Sequence, residues 1–205
     1  MTNSLDNLLA PTLRKSIEIN LGKATLNKIE QRLMERHGLG LVQAIKDFHK
    51  FDGVLREFFG AGADGLETKF LQNIIDLQQQ KKADDNWIII KDQELAKIFL
   101  ESFADEDKKA IIGTVLEDSL IIADILNACN VPQTSGYRKI NQLIDAGLLI
   151  SNGYSIASDG KKIKKYESIF NNVKMDIEKN VIVVKVQLKK TSLSDSMILQ
   201  SIPAL

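Results

Sequence analysis

From Leu8 to Leu77 the apolar residues recur at three- and four-residue steps, the spacing that gathers them on one face of a helix. Leu21, Leu26, Ile29, Leu33 and Met34 form one stripe, which ends at His37 and Gly38, a glycine C-cap signal. Leu41, Ala44, Ile45, Phe48, Phe51, Leu55, Phe58 and Phe59 form a second, heavier stripe. Leu66, Phe70, Ile74 and Leu77 form a third, with Asp64 placed to cap it. An earlier helix is expected over 8–19, with Pro11 near its first turn. Short loops between such helices predict a small antiparallel bundle.

The pattern changes in the middle of the chain. Residues 78–86 are polar without periodicity and read as a linker. Trp87, Ile88, Ile89 and Ile90 suit either a strand or an anchor for that linker. Asp92 to Phe103 reads as a helix with Leu95, Ile98, Phe99 and Phe103 on one face. Asp105, Glu106 and Asp107 open another, where acids suit the positive end of the dipole.

Leu120 to Ala128 then predicts a short helix with Asp118 and Ser119 as cap candidates. Asn130, Val131 and Pro132 make a turn, and a further helix runs from a Thr134 or Ser135 cap to about Ala146, closed by Gly147. At 100° per residue, Gly136, Ile140, Leu143 and Ile144 share its inner face. Thr134, Ser135, Arg138 and Gln142 fall opposite, flanked by Tyr137 and Lys139. Two strands, over 149–157 and 161–169, bracket the hairpin turn Ser158, Asp159, Gly160. A second hairpin turns at Glu178, Lys179 and Asn180; its strand from Val181 to Leu188 is apolar on both faces and needs covering. Helices of the same chain and a second copy are both candidates for that cover. Residues 191–205 read as a loose tail in which Met197, Ile198 and Leu199 could dock.

The expected fold is therefore mostly α with a C-terminal α+β winged helix: an N-terminal helical bundle, a winged helix-turn-helix and an extra β-hairpin. The expected divisions are 1–80 for a helical regulatory domain, 81–104 for a linker and connecting helix, 105–190 for the winged helix with its extra hairpin, and 191–205 for the tail.

Charge sharpens this picture. Lys plus Arg and Asp plus Glu number 27 each, so bulk attraction to nucleic acid is not implied. Residues 1–80 carry ten basic and ten acidic groups, and 81–117 carry nine acidic and six basic. From Gln133 to Tyr166, however, six basic residues face two acidic ones. Lys161, Lys162, Lys164 and Lys165 cluster at the hairpin tip, which is the local footprint of a DNA-binding element.

Other chemistry finds little support. Gly60, Gly62 and Gly65 have dinucleotide-fingerprint spacing, but a helical pattern precedes them where a strand is required. A helix–helix turn is the plainer reading, with anion binding at the following helix left open. His37 and His49 lack a cysteine or second histidine at ligand spacing, so no metal site and no cofactor are expected. The single Cys129 fits a reducing compartment, and neither a signal peptide nor an apolar run of roughly 18 residues is read, so the expected location is cytoplasmic. An enzyme is not expected.

The residues Leu13 to Gly22, Ile29 to Leu33 and Leu55 to Ala63 resemble the small helical output domain fused to receiver or helix-turn-helix domains in ammonia-oxidising archaea. That resemblance implies a regulatory context and no chemistry of its own. Ile121 to Leu126, Gly136 to Ile144, Ala146 to Leu149 and Ser158 to Lys162 resemble the winged helix-turn-helix regulators, particularly archaeal members of the ArsR-like class. Paired cysteines are absent, so metal sensing does not carry over.

The expectation is a transcription regulator. Arg138 would read guanine and Gln142 or Gln133 adenine in the major groove. Thr134, Ser135, Tyr137 and Lys139 would hold phosphates, while Lys161, Lys162, Lys164 and Lys165 grip the backbone. Double-stranded DNA, a second copy of the chain and a protein partner at the N-terminal helices are the expected partners. A protein-interaction adaptor built on the same winged helix is the alternative.

Overall fold

The computed structural model describes residues 4–77 and 87–200. It is mostly helical, with two antiparallel sheets. The expected linker over 78–86 lies outside the described residues.

The first helix, α1 (Ser4–Leu21), is longer than its apolar stripe suggests and carries Pro11 in its interior rather than in its first turn. It buries Leu5, Leu8, Leu9, Leu13 and Ile17. In α2 (Lys23–His37) Leu26, Ile29 and Leu33 are buried, while Met34 is 57% exposed and drops out of the stripe. Gly38 closes it in the left-handed conformation, as its position predicts. The heavy aromatic stripe is not one helix: it breaks at Asp47 into α3 (Leu41–Lys46) and α4 (Phe48–Phe59). A short 3-10 turn, Gly60–Gly62, leads into α5 (Ala63–Gln72). Gly60 there has φ 56 and ψ −132, a conformation that only glycine adopts without strain. The glycine triplet is thus a helix–helix turn. Asp64 lies within the first turn of α5 and is not its cap. The third stripe also changes character, because Ile75 and Leu77 belong to a strand, β1 (Ile75–Leu77).

β1 pairs with β2 (Trp87–Ile90), so the isoleucine run is a strand. Two helices follow, α6 (Gln93–Ala104), capped by Asp92, and α7 (Glu106–Thr114), capped by Asp105. Leu120 and Ile121 form a two-residue strand, β3 (Leu120–Ile121), so the next helix, α8 (Ile122–Ala128), starts later than its apolar pattern implies. α9 (Gln133–Asp145) leads into the hairpin of β4 (Leu149–Ile156) and β5 (Lys162–Ser168), and β3 pairs with β5 in the order β3-β5-β4.

The second hairpin comprises β6 (Phe170–Glu178) and β7 (Val181–Leu188). Lys179 and Asn180 have φ of 48 and 68, the positive pair a two-residue turn requires. This hairpin joins the N-terminal strands in a sheet ordered β1-β2-β7-β6. Elements on either side of positions 80 and 105 therefore share one sheet. Val184, Val186 and Leu188 of β7 are buried on the face met by α6, so helices of the same chain supply that cover. Where β2 ends, Gln93 replaces its ladder: its amide donates to the Ile182 carbonyl and accepts from the Ile182 N–H, both at 3.1 Å.

The chain end is tied down rather than loose as far as Gln200. After α10 (Lys190–Ser194), α11 (Met197–Gln200) buries Ile198 and Leu199. Buried Asp6 of α1 accepts from the Ser196 hydroxyl at 2.6 Å and from the Met197 N–H at 3.1 Å. No described helix is long and apolar enough to cross a membrane.

Candidate nucleic-acid interface

Three helices and a hairpin set the stage. α7, α8 and α9 pack on one another, and α9 leads directly to β4. Ile111, Ile112, Ile125, Leu126, Ile140 and Leu143 are the buried residues of that packing. The turn between α8 and α9 is built by Asn130, which takes the left-handed conformation at φ 54 that short polar side chains tolerate. Val131 turns inward, and its N–H donates to the Leu126 carbonyl at 3.2 Å.

Gly136 fixes how closely α9 approaches α8. A Cβ at that position would sit 2.3 Å from Leu126 Cδ2 and 3.2 Å from Val131 Cγ1, so a glycine is what the contact allows.

With Gly136, Ile140 and Leu143 inward, Gln133, Thr134, Tyr137, Arg138 and Gln142 are exposed along the outer face. The expected face is the one the fold turns out. Among the described residues Arg138 joins no ion pair and no hydrogen bond, so its guanidinium keeps all its donors free.

The cap expected on α9 is corrected. Neither Thr134 nor Ser135 caps it; Pro132 holds the N-cap position with no side-chain bond, and the Ser135 hydroxyl donates to the Pro132 carbonyl at 3.2 Å. The first N–H groups of α9 are consequently left without a side-chain partner, an arrangement that suits an anion. Lys139, expected to hold a phosphate, is engaged by two carboxylates. Its side chain is only 14% exposed, with Nζ 2.6 Å from Asp105 Oδ1 and 2.9 Å from Asp107 Oδ2. This hydrogen bond from Lys139 holds the Asp105 carboxyl below its usual range, and the same pair raises Lys139. Asp105 also caps α7 by accepting from the Lys108 N–H, so one carboxylate both starts α7 and anchors α9. Helical spacing places Lys139 on a flank but cannot show that acids 34 residues away in sequence meet it.

The hairpin register sorts the four lysines. Tyr154 pairs with Lys164 and Ile156 with Lys162, which puts these four on one face. Lys165 lies on the opposite face with Ile163. Lys161, in the turn, pairs with Asp159 at 2.8 Å and lowers that carboxyl through the hydrogen bond. Lys162, Lys164 and Lys165 take part in no ion pair among the described residues, while Lys161 stays 83% exposed in its pair.

Tyr154 and Ile156 are residues that sequence reasoning passed over. They are exposed by 50% and 73%, and they flank the free lysines. Alternation alone could not place them, because the register shifts between Ser151 and Tyr154, at Gly153 with φ 75.

No protein-family model, curated protein or solved structure matches the chain.

Proposed function

We propose that the chain is a cytoplasmic DNA-binding regulator in which α7, α8, α9 and the β4–β5 hairpin act as a winged helix-turn-helix. The observation that carries this reading is the outer face of α9. Unpaired Arg138 is exposed there beside Gln133, Thr134, Tyr137 and Gln142, next in sequence to a hairpin with three unpaired lysines. An exposed Arg on such a helix presents two donors at guanine spacing, and free lysines on an adjoining hairpin suit phosphates. The resemblance of Gly136 to Ile144 and Ser158 to Lys162 to ArsR-like archaeal regulators points the same way. Two copies would read paired half-sites, since twofold protein symmetry matches a palindromic operator. The N-terminal helices, which resemble an archaeal output domain, would take the regulatory input, a protein partner among them.

Exposed Ile156, Tyr154 and Ile163 at the hairpin favour a second reading, a protein-interaction adaptor on the same scaffold. Selection of duplexes from a random pool separates the two, with Arg138→Ala as control. A regulator enriches a defined sequence that the variant does not. An adaptor enriches none.

A further inference from the structure

The glycine turn Gly60–Gly62 folds α5 back against α4 and brings a carboxylate of α4 up to two carboxylates of α5. One ligand oxygen from each of Asp52, Asp64 and Glu67 lies within 4.8 Å of the other two. Glu67 is 2% exposed, and neither of its carboxylate oxygens has a hydrogen-bond partner. A buried carboxylate without a partner is costly enough that native folds give it a counter-charge, a proton or a metal. Arg56 forms no ion pair with Glu67. Its guanidinium pairs with Asp64 and, at 2.7 Å, with Asp52, whose Oδ1 still lacks an aligned hydrogen bond. Burial, reinforced by Asp52 and offset only in part by Arg56, pushes Glu67 up to about 8.

From this geometry we propose that Asp52, Asp64 and Glu67 form a binding site for a hard divalent cation of the Ca²⁺, Mn²⁺ or Mg²⁺ class, in the N-terminal helices and apart from α9. The donors are all carboxylate oxygens, which selects this class over zinc or copper. Oxygens on opposite sides of such an ion are roughly 4–5 Å apart, so three groups within 4.8 Å of one another can share one ion. Asp64 and Glu67 are three residues apart on α5 and face one way, while Asp52 reaches across from α4. Three protein ligands leave the remaining coordination positions to water. Arg56 then acts as a competitor, holding Asp52 and Asp64 until the ion displaces it.

The test titrates the full chain with Mn²⁺ and follows bound ion by electron paramagnetic resonance, with Ca²⁺ and Mg²⁺ as competitors and thermal melting in parallel. One Mn²⁺ site per chain, a melting point raised by the cation, and a loss of affinity in the near-isosteric Glu67→Gln at least as large as the roughly ten- to hundred-fold cost of losing an outer-shell partner support the site. Arg56→Gln should bind more tightly than wild type. Asp64→Asn, at a half-exposed ligand, keeps the test decisive where Glu67→Gln does not fold. The site is overturned by wild-type protein without a Mn²⁺ site below about 1 mM, or by binding that survives both ligand substitutions. It is equally overturned if Glu67→Gln raises the melting point while wild type ignores the cations, because the buried carboxyl is then a protonated partner of Asp52 alone.

Discussion

Lys139 of α9 places its ammonium 2.6 Å from Asp105, the residue that caps α7, and this contact locks the outward-facing helix onto its neighbour. The pair makes Lys139 an orienting residue. Removing it should leave DNA contacts intact while loosening the helix that presents them.

The consequences for pH follow from the directions of the shifts. Asp105 is lowered from 3.8 chiefly by the Lys139 hydrogen bond, so its stabilisation is present above pH 3.8 and is lost as pH falls through the lowered value. Lys139 is raised from 10.5, so its share is present below that pH and lost only above it. Lys139→Met should therefore lower the melting point between these limits and flatten its fall on the acid side. The slope of DNA affinity against salt should stay at the wild-type value. A true phosphate contact would instead take about 0.9 from that slope.

Gly136→Ala should destabilise the chain by about 1–3 kcal/mol, the cost of overpacking a closed contact. The added methyl would meet Leu126 at 2.3 Å and Val131 at 3.2 Å, and both of these side chains are buried. Urea unfolding measures the loss. Weakened DNA binding should accompany it, because α9 must shift to make room. Leu126→Ala in the same chain should recover part of the binding by opening that space.

Phe170 joins the two sheets. It starts β6 two residues after β5 ends, with Phe99 and Phe103 of α6 at centroid distances of 5.9 and 6.1 Å. Phe170→Ala should cost about 3–5 kcal/mol. Since the buried core runs unbroken from α1 to α11, the loss should appear as one cooperative transition at lower denaturant. Two separated transitions would show that the regions on either side of β6 unfold independently.

The sequence was most legible where periodicity is local. The inner face of α9, the Gly147 stop with its φ of 76, and the Ser158 to Gly160 turn follow from spacing and turn chemistry alone. What failed to show depends on partners distant along the chain. β1 and β2 are too short to signal a sheet until β7 lies beside them. Lys139 looks like a surface lysine until Asp105 and Asp107 are folded against it. The aromatic stripe over 41–59 hid a break at Asp47, because apolar spacing carries across a bend. The cluster of Asp52, Asp64 and Glu67 is likewise hidden in the sequence, because carboxylates on two helices meet only once the glycine turn has folded.

The most direct measurement compares wild type, Arg138→Ala and Lys162→Ala on a selected duplex and a scrambled one across a range of salt. Wild type should prefer the selected duplex and weaken steeply as salt rises. Arg138→Ala should lose about 1–3 kcal/mol of that preference, whereas Lys162→Ala should bind both duplexes less tightly and lower the salt slope by about 0.9. Binding that is indifferent to salt, or two variants that behave alike, would contradict a base-reading α9 with a gripping hairpin.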